Sequence, residues 1–322
     1  MARIEDNNQG QEDSNDLVVQ AEAGGSVSVP DSAFVTGSQI IRDGQDLKLE
    51  SPDGQTVTIE NYFSVDPAPV INSPEGQSLT PDLVQSFAQH QQTYAQAGTM
   101  TDESPVGSIT EIEGSATITH TDGTTEIATI GTPVYEGDII ETNGEGSLNI
   151  SFIDDTQFAI SSNARLAIDE YVFDASTESG SSDFSVLRGL FVFTSGLIGR
   201  DDPDDVEIDT PMGSIGIRGT MIAGNVDTGE ITVLEGAIVL RGVNGGEVTL
   251  AQQFETARFN PSGGTVDYVG TTSADNFSSD FNAIKTVSPY TFIAVEPTIE
   301  SAPEGNSGAE DPQQTEEAPA KE

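Results

Sequence analysis

Cysteine and tryptophan are absent from the 322 residues, and histidine occurs twice, at His90 and His120. Without cysteine there is no disulfide, no thiolate metal site and no cysteine nucleophile. Without tryptophan the chain lacks the largest aromatic surface on which a sugar ring stacks. Neither His-Glu-x-x-His nor a Gly-x-Ser-x-Gly elbow occurs, so zinc-dependent or serine-based hydrolysis has no foundation in the sequence. Cations are scarce: 11 Lys+Arg stand against 54 Asp+Glu, a net charge of −43. A field of that sign repels phosphates, which argues against nucleic acid and anionic lipid surfaces as partners. It suits cation binding, a salty medium with short-range screening, or solubility alone. No apolar run approaches the ~18 residues of a membrane helix, so no transmembrane segment is expected. Met1–Gly10 is polar, so no Sec leader is expected either. Apolar residues make up 35% of the chain, so a core forms only where they concentrate, leaving polar ends unfolded.

Where they concentrate, their period is two. Val27 and Val29 alternate with serines, and Asp46–Glu50 and Gln55–Glu60 flank Pro52-Asp53-Gly54, a hairpin signal. Residues 21–66 thus make a small β-hairpin module, too small to be stable unless it packs on a neighbour. Residues 1–20 are expected to be disordered. Residues 67–104 suggest a proline-bearing linker with a short helix: Thr80 as N-cap, Pro81 at the first helical position, Asp82 at the positive end. Leu83, Val84, Phe87 and Tyr94 give that helix a face, and His90 is expected on it as a solvated residue. From 105 to 270, short strands follow one another between turns such as Asp122-Gly123, Asp227-Thr228-Gly229 and Asn260-Pro261-Ser262-Gly263-Gly264. A loop rich in Ser, Gly and Asp is expected over 174–183. This strand density predicts an all-β fold, an antiparallel sandwich, roll or open barrel, able to fold alone. The missing βαβ alternation argues against α/β. Val287, Tyr290, Phe292 and Ile293 suggest an edge strand within 271–298. Residues 299–322 are expected to be a disordered acidic tail.

The most organised stretch runs from Val206 to Ala223. Val206 and Ile208 alternate with Glu207 and Asp209, and Thr210-Pro211-Met212-Gly213 breaks the strand. Ile215 and Ile217 then alternate around Gly216. Arg218-Gly219-Thr220 interrupts again, and Met221 starts a further strand. The pattern Thr-Pro-x-Gly-x-x-Gly-x-Arg-Gly-Thr resembles the signature of the FecR-type domain, an all-β module of the bacterial envelope. Val134-Tyr135-Glu136-Gly137-Asp138-Ile139-Ile140-Glu141-Thr142, the hairpin Gly146–Ile160 and Val233–Val239 resemble further segments of that family, in the family's order. The resemblance spans Gly107 to Val269. It implies that Pro211, Gly213, Gly216, Arg218, Gly219, Thr220, Gly137 and Asp138 are residues of the fold. More loosely, the hairpin at Asp46–Glu60 resembles N-terminal modules of large bacterial surface proteins.

Arg218 is a lone cation in an apolar, glycine-rich stretch. It suits either an anchor for an anionic ligand or a buried structural ion pair; the abundance of acids favours the pair. Gly213, Gly216 and Gly219 mimic a phosphate loop only superficially, since no Lys-Ser/Thr and no helix follow. Asp201, Asp202, Asp204 and Asp205, and the pair Asp154–Asp155, are acidic clusters on expected loops. Calcium is the cofactor such oxygens could hold, but neither cluster has EF-hand spacing and solvated loops fit better. No catalytic residue and no cofactor emerge. The leading expectation is a non-enzymatic interaction or scaffolding module of the envelope or cell surface with a protein partner. A regulatory, signal-transmitting binding module is the alternative, and a polysaccharide-acting enzyme is third. The location expected is outside the cytoplasm by a leaderless route, against a cytoplasmic protein of a salt-loving bacterium.

Overall fold

The computed structural model describes residues 16–90, 104–199, 205–260 and 264–295. The expected disordered ends, beyond strand Leu17–Gln20 at one end and helix Pro289–Val295 at the other, lie outside these residues. The described chain is all-β in its main body, with strands gathered into three sheets. Among the described residues no helix is long and apolar enough to cross a membrane.

Two small sheets build the N-terminal module. Leu17–Gln20, Thr56–Glu60, Asp46–Glu50, Gln39–Asp43 and Gln89–His90 form one in that spatial order; Ser26–Ser28, Val70–Asn72 and Ser78–Leu79 form the other. The expected hairpin pairs Leu47 with Ile59 and Leu49 with Val57, and all four side chains are fully buried. Around it the chain is more ordered than its composition suggests. Residues 17–20 are a strand, parallel to 57–60. The supposed linker supplies three strands among its described residues, two of them because Ile71 and Leu79 pair across a turn and close the module's core. The helix is Pro81–Phe87, capped by Thr80 Oγ1, which accepts the Leu83 N–H at 3.2 Å. It stops short of His90 because Leu83, Val84 and Phe87 exhaust its apolar face. The backbone then extends, and Gln89–His90 pairs with Ile41–Arg42. Tyr94 lies outside the described residues.

The third sheet has sixteen strands and curls into an open half-barrel around the main core. Phe158, Phe184, Phe191 and Phe193 pack at its centre, with the Phe158 and Phe184 rings 5.2 Å apart. Pairing is antiparallel except between Ser179–Arg188 and Val206–Thr210, which run parallel. The loop expected over 174–183 shrinks to 175–178. Arg165–Asp174 and Ser179–Arg188 pair along their length, and the turn between them holds Glu178 at φ 54°. Both faces of this hairpin's tip carry polar side chains, which hid the alternation.

Residues 271–298 need a second correction. No edge strand forms among the described residues there; Ala274–Asp280, Asn282–Ile284 and Pro289–Val295 are helical. Ser273 Oγ caps the first helix by accepting the Asn276 N–H. Phe277, Phe281 and Ile284 recur at helical spacing. With Val287 and Phe292 they cover Ala159, Val192, Ala223 and Leu234 on the sheet's outer face.

The N-terminal module covers another part of that outer face. Ile139, Ala167 and Leu187 belong to the module's core. Arg165, 2% exposed, reaches across: its Nη1 donates to the Ser38 carbonyl at 2.8 Å and its guanidinium lies over the Phe87 ring. Arg188 Nη1 donates to the Thr36 carbonyl at 2.8 Å. The stretch 105–270 is therefore sealed by residues on both sides of it.

Candidate functional site: the fork around Arg218

The signature strand does not break at Arg218-Gly219-Thr220. Gly213–Asn225 is continuous and pairs along its length with Glu230–Gly242. Its other edge forks. Glu207–Thr210 pairs with residues 213–216, and Leu190–Thr194 pairs with residues 221–225. Between these halves the ladder carries a β-bulge: Arg218 faces Ala237, but Met221 faces Glu235. Gly219 at φ 53° and Gly236 at φ 83° make this possible. A Cβ on Gly236 would stand 2.3 Å from the Gly219 carbonyl oxygen, so the backbones cross where a side chain would not fit.

The fork is closed by the segment after Thr194. Gly219 N–H donates to the Gly199 carbonyl at 2.8 Å, Ser195 N–H donates to the Thr220 carbonyl at 2.9 Å, and Thr220 N–H donates to Ser195 Oγ at 3.1 Å. Thr220 Oγ1 lies 2.8 Å from the Arg218 carbonyl and 2.9 Å from that of Ala237. At the start of the strand, Thr210 Oγ1 donates to the Gly213 carbonyl at 2.7 Å, and the buried Pro211 offers its carbonyl to Ser78 N–H at 2.8 Å. Gly213 is needed because a Cβ there would meet the Arg241 carbonyl at 2.2 Å. Gly216 is buried between Glu207 and Val239 on the neighbouring strands.

Arg218 is exposed and has no ion-pair partner among the described residues, so the buried structural pair is not what forms. Arg218 follows the buried Ile215 and Ile217 in alternation and so faces outward, where pairing in solvent is too weak to hold it. The other described arginines are engaged: Arg42 with Gly44 and Phe63, Arg165 and Arg188 with Glu141, Arg241 with Glu247, Arg258 with Glu230.

Gly137 and Asp138 sit elsewhere, in the turn before Ile139. Gly137 takes φ 81°. Asp138, 1% exposed, accepts the Tyr135 N–H at 2.9 Å through Oδ2 and meets His120 Nδ1 at 2.7 Å through Oδ1. His120 Nε2 lies 3.2 Å from Glu126. Burial works against a charge on His120, but the hydrogen bonds and charges of Asp138 and Glu126 outweigh it and raise its pKa. No hydrogen bond or ion pair connects this group with Arg218.

Asp154 overturns the expectation of a solvated loop. It is fully buried, and its carboxylate accepts Thr156 N–H at 2.9 Å, Thr156 O–H at 2.8 Å, Ile198 N–H at 3.0 Å and the Tyr171 hydroxyl. Burial, then that hydrogen bond, pushes the Tyr171 pKa up. With four donors satisfied, Asp154 pins the 195–199 segment beneath the fork and has little capacity left for a cation. Its neighbour Asp155 is exposed at φ 71°. Asp201, Asp202 and Asp204 lie outside the described residues. Asp205 offers its carbonyl to Ser182 N–H at 2.9 Å. Among the described residues no three His, Asp or Glu are grouped to hold a metal ion.

Residues 138–239 match the family model described as FecR protein. This chain carries a FecR-type domain. The match runs from the carboxylate that binds His120 to the strand opposite the bulge, and so takes in the whole fork. No curated protein matches the chain. Among solved structures, a cell surface anchoring domain is 30% identical over 20% of this chain and 84% of its own, with a TM-score of 0.20. Two structures from Parabacteroides distasonis ATCC 8503 are provisionally described as an anti-sigma factor. One is 12% identical over 44% of this chain and 62% of its own, TM-score 0.35; the other is 11% identical over 46% and 74%, TM-score 0.34. Likenesses this partial leave the family match to carry the assignment.

Two features of the half-barrel escaped the sequence reading. The His120–Asp138 pair is 18 residues apart in sequence and has no motif. The burial of Asp154 had one signal: it follows the fully apolar inward series Leu148, Ile150 and Phe152, which keeps its alternate positions turned toward the core.

Proposed function

We propose that this chain is a regulatory binding module whose FecR-type domain receives a protein partner at the fork around Arg218. The family match over 138–239 is the observation that carries the proposal. It ranks the regulatory reading above the scaffolding one that led in the sequence. The geometry supplies a contact point: an exposed guanidinium on a bulge whose backbone groups are bonded within the domain. Such a guanidinium offers a partner carboxylate a two-pronged seat. The −43 charge favours a partner whose surface is otherwise basic. An extracytoplasmic location belongs to the same proposal, and fractionation of native cells against a cytoplasmic marker tests it.

The binding reading is tested by photo-crosslinking in the native host. A photoreactive residue replaces exposed Glu235, beside the bulge, or exposed Glu178, at a remote hairpin tip. A discrete protein adduct from position 235, absent from 178 and lost on Arg218→Ala, is the expected result. Adducts that are equal from both positions, or indifferent to Arg218, would contradict it.

A further inference from the structure

Carboxylates crowd the seam between the N-terminal module and the FecR-type domain. Glu170 faces Asp183 across the Arg165–Asp174 and Ser179–Arg188 ladder, and Asp183 faces Glu207 on the next strand. Like charges in such a row repel. One step along, Ser185 faces Asp209 and donates its hydroxyl to Asp169 Oδ2 at 2.6 Å. Helix Pro81–Phe87 of the module lies against this second row. Ser86 Oγ is 3.3 Å from Ser185 Oγ, and the charge of Asp82 acts on both Asp169 and Asp209. Pro211, two residues past Asp209, holds Ser78, which leads into the helix.

Among the described residues no cation answers this cluster. Arg165 and Arg188, on the same strands, turn to Glu141. On the other side Asp209 faces Ser214, and Arg241, one strand further, is held by Glu247 at 3.4 Å. Asp169, Asp183 and Asp209 are half-buried, whereas Asp82 and Glu170 are exposed.

We propose that Asp169, Asp183 and Asp209 form a proton-operated latch, holding helix Pro81–Phe87 against the FecR-type domain when protonated and loosening it when ionised. The titration behaviour agrees. Burial, then the charges of Glu207, Asp169 and Asp82, pushes Asp209 up to about 7. Burial, then Glu170 and Glu207, pushes Asp183 up to about 6. Burial raises Asp169 as well, despite its hydroxyl partners. These groups hold protons in the folded chain that they would release when unfolded. Their contribution is therefore full only below the unfolded carboxylate value of 3.8 and is lost as pH rises from there through the folded values of about 6 and about 7. The latch makes the coupling of the two modules, and hence what a partner meets, responsive to mild acidity.

Hydrogen exchange on the full chain tests this, with protection corrected for the intrinsic pH dependence of exchange. The reporters are amides of the helix, including Val84 N–H to Thr80 and Ala88 N–H to Val84. Wild type, Asp209→Asn and Asp183→Asn are compared at about pH 5 and about pH 8, either side of the titration. Wild-type helix protection should fall about tenfold between them, the scale of one pKa unit. Asp209→Asn should keep its protection at the higher pH, and Asp183→Asn should retain part of it. The second variant serves if the first does not fold. Loss of protection in the hairpin at residues 116–127 would report His120 instead. Equal wild-type protection at both values, or an equal fall in wild type and variants, would overturn the latch.

Discussion

Replacing Arg165 with alanine tests whether the N-terminal module and the FecR-type domain form one unit. The side chain is 2% exposed and contacts both parts. It donates to the Ser38 carbonyl at 2.8 Å, places Nε 3.3 Å from Glu141 Oε1 and stacks its guanidinium 4.9 Å from the Phe87 ring centre. Burial lowers its pKa to about 10, which leaves it charged at neutral pH. A charge-assisted hydrogen bond contributes about 1.5–3 kcal/mol, and a desolvated cation–π contact about 1–2 kcal/mol. Glu141 keeps Arg188 at 3.4 Å and is 36% exposed, so stranding it adds little. Arg165→Ala should therefore cost about 3–5 kcal/mol. Arg165→Met retains the apolar stem volume and removes the buried charge, so it should cost about half as much. Urea unfolding followed by circular dichroism reads both. The alanine variant should show a lower midpoint and separate transitions for the two parts. A midpoint equal to wild type, or a methionine variant less stable than the alanine one, would refute the reasoning.

Arg218→Ala should leave stability within about 0.5 kcal/mol of wild type, as expected for an exposed unpaired side chain; its denaturant midpoint checks this. His120 gains its partners on folding and its pKa rises. The stability it contributes is thus fully present below the unfolded value near about 6.5 and is lost as pH rises through the folded value. His120→Gln should flatten that part of the stability profile, and NMR titration of the ring should give a midpoint above that of a free histidine. A fragment trimmed to 105–270 should melt lower than the full chain and bind a hydrophobic dye, because it bares Ile139, Ala167 and Leu187 on one side and Val192, Ala223 and Leu234 on the other. That outcome would overturn the autonomy expected from strand density alone.

The all-β architecture was legible because inward series such as Leu148, Ile150 and Phe152 alternate cleanly with polar neighbours. The signature was legible as turn chemistry, since Gly213 and Gly219 sit where crowding or a positive φ requires them. What the signature does to the sheet was not. A bulge in a continuous strand and a break between two strands leave the same glycine and threonine in sequence. Only the pairing of Arg218 with Ala237 and of Met221 with Glu235 distinguishes them. Arg218 was misplaced because the scarcity of cations made a buried pair attractive, although its alternation with the buried Ile215 and Ile217 puts it outside. Asp154 failed in the opposite direction. Its acidic neighbour Asp155 suggested solvent, but one of two adjacent carboxylates on a turn can face the core if enough donors meet it there. The helices after Ala274 were missed because Phe277, Phe281 and Ile284 lie in a serine- and asparagine-rich stretch. Their helical period becomes meaningful only once a sheet face is there to receive it.

The account's central claim is that the chain acts as a regulator through the exposed Arg218. It is tested most directly by transcript profiling of the native host after deletion of the coding region and complementation. Wild-type protein should restore a discrete set of transcripts altered by the deletion. An Arg218→Glu variant, shown to be folded and equally abundant, should fail to restore it. Transcripts unchanged by the deletion, or restored equally by the variant, would contradict the claim.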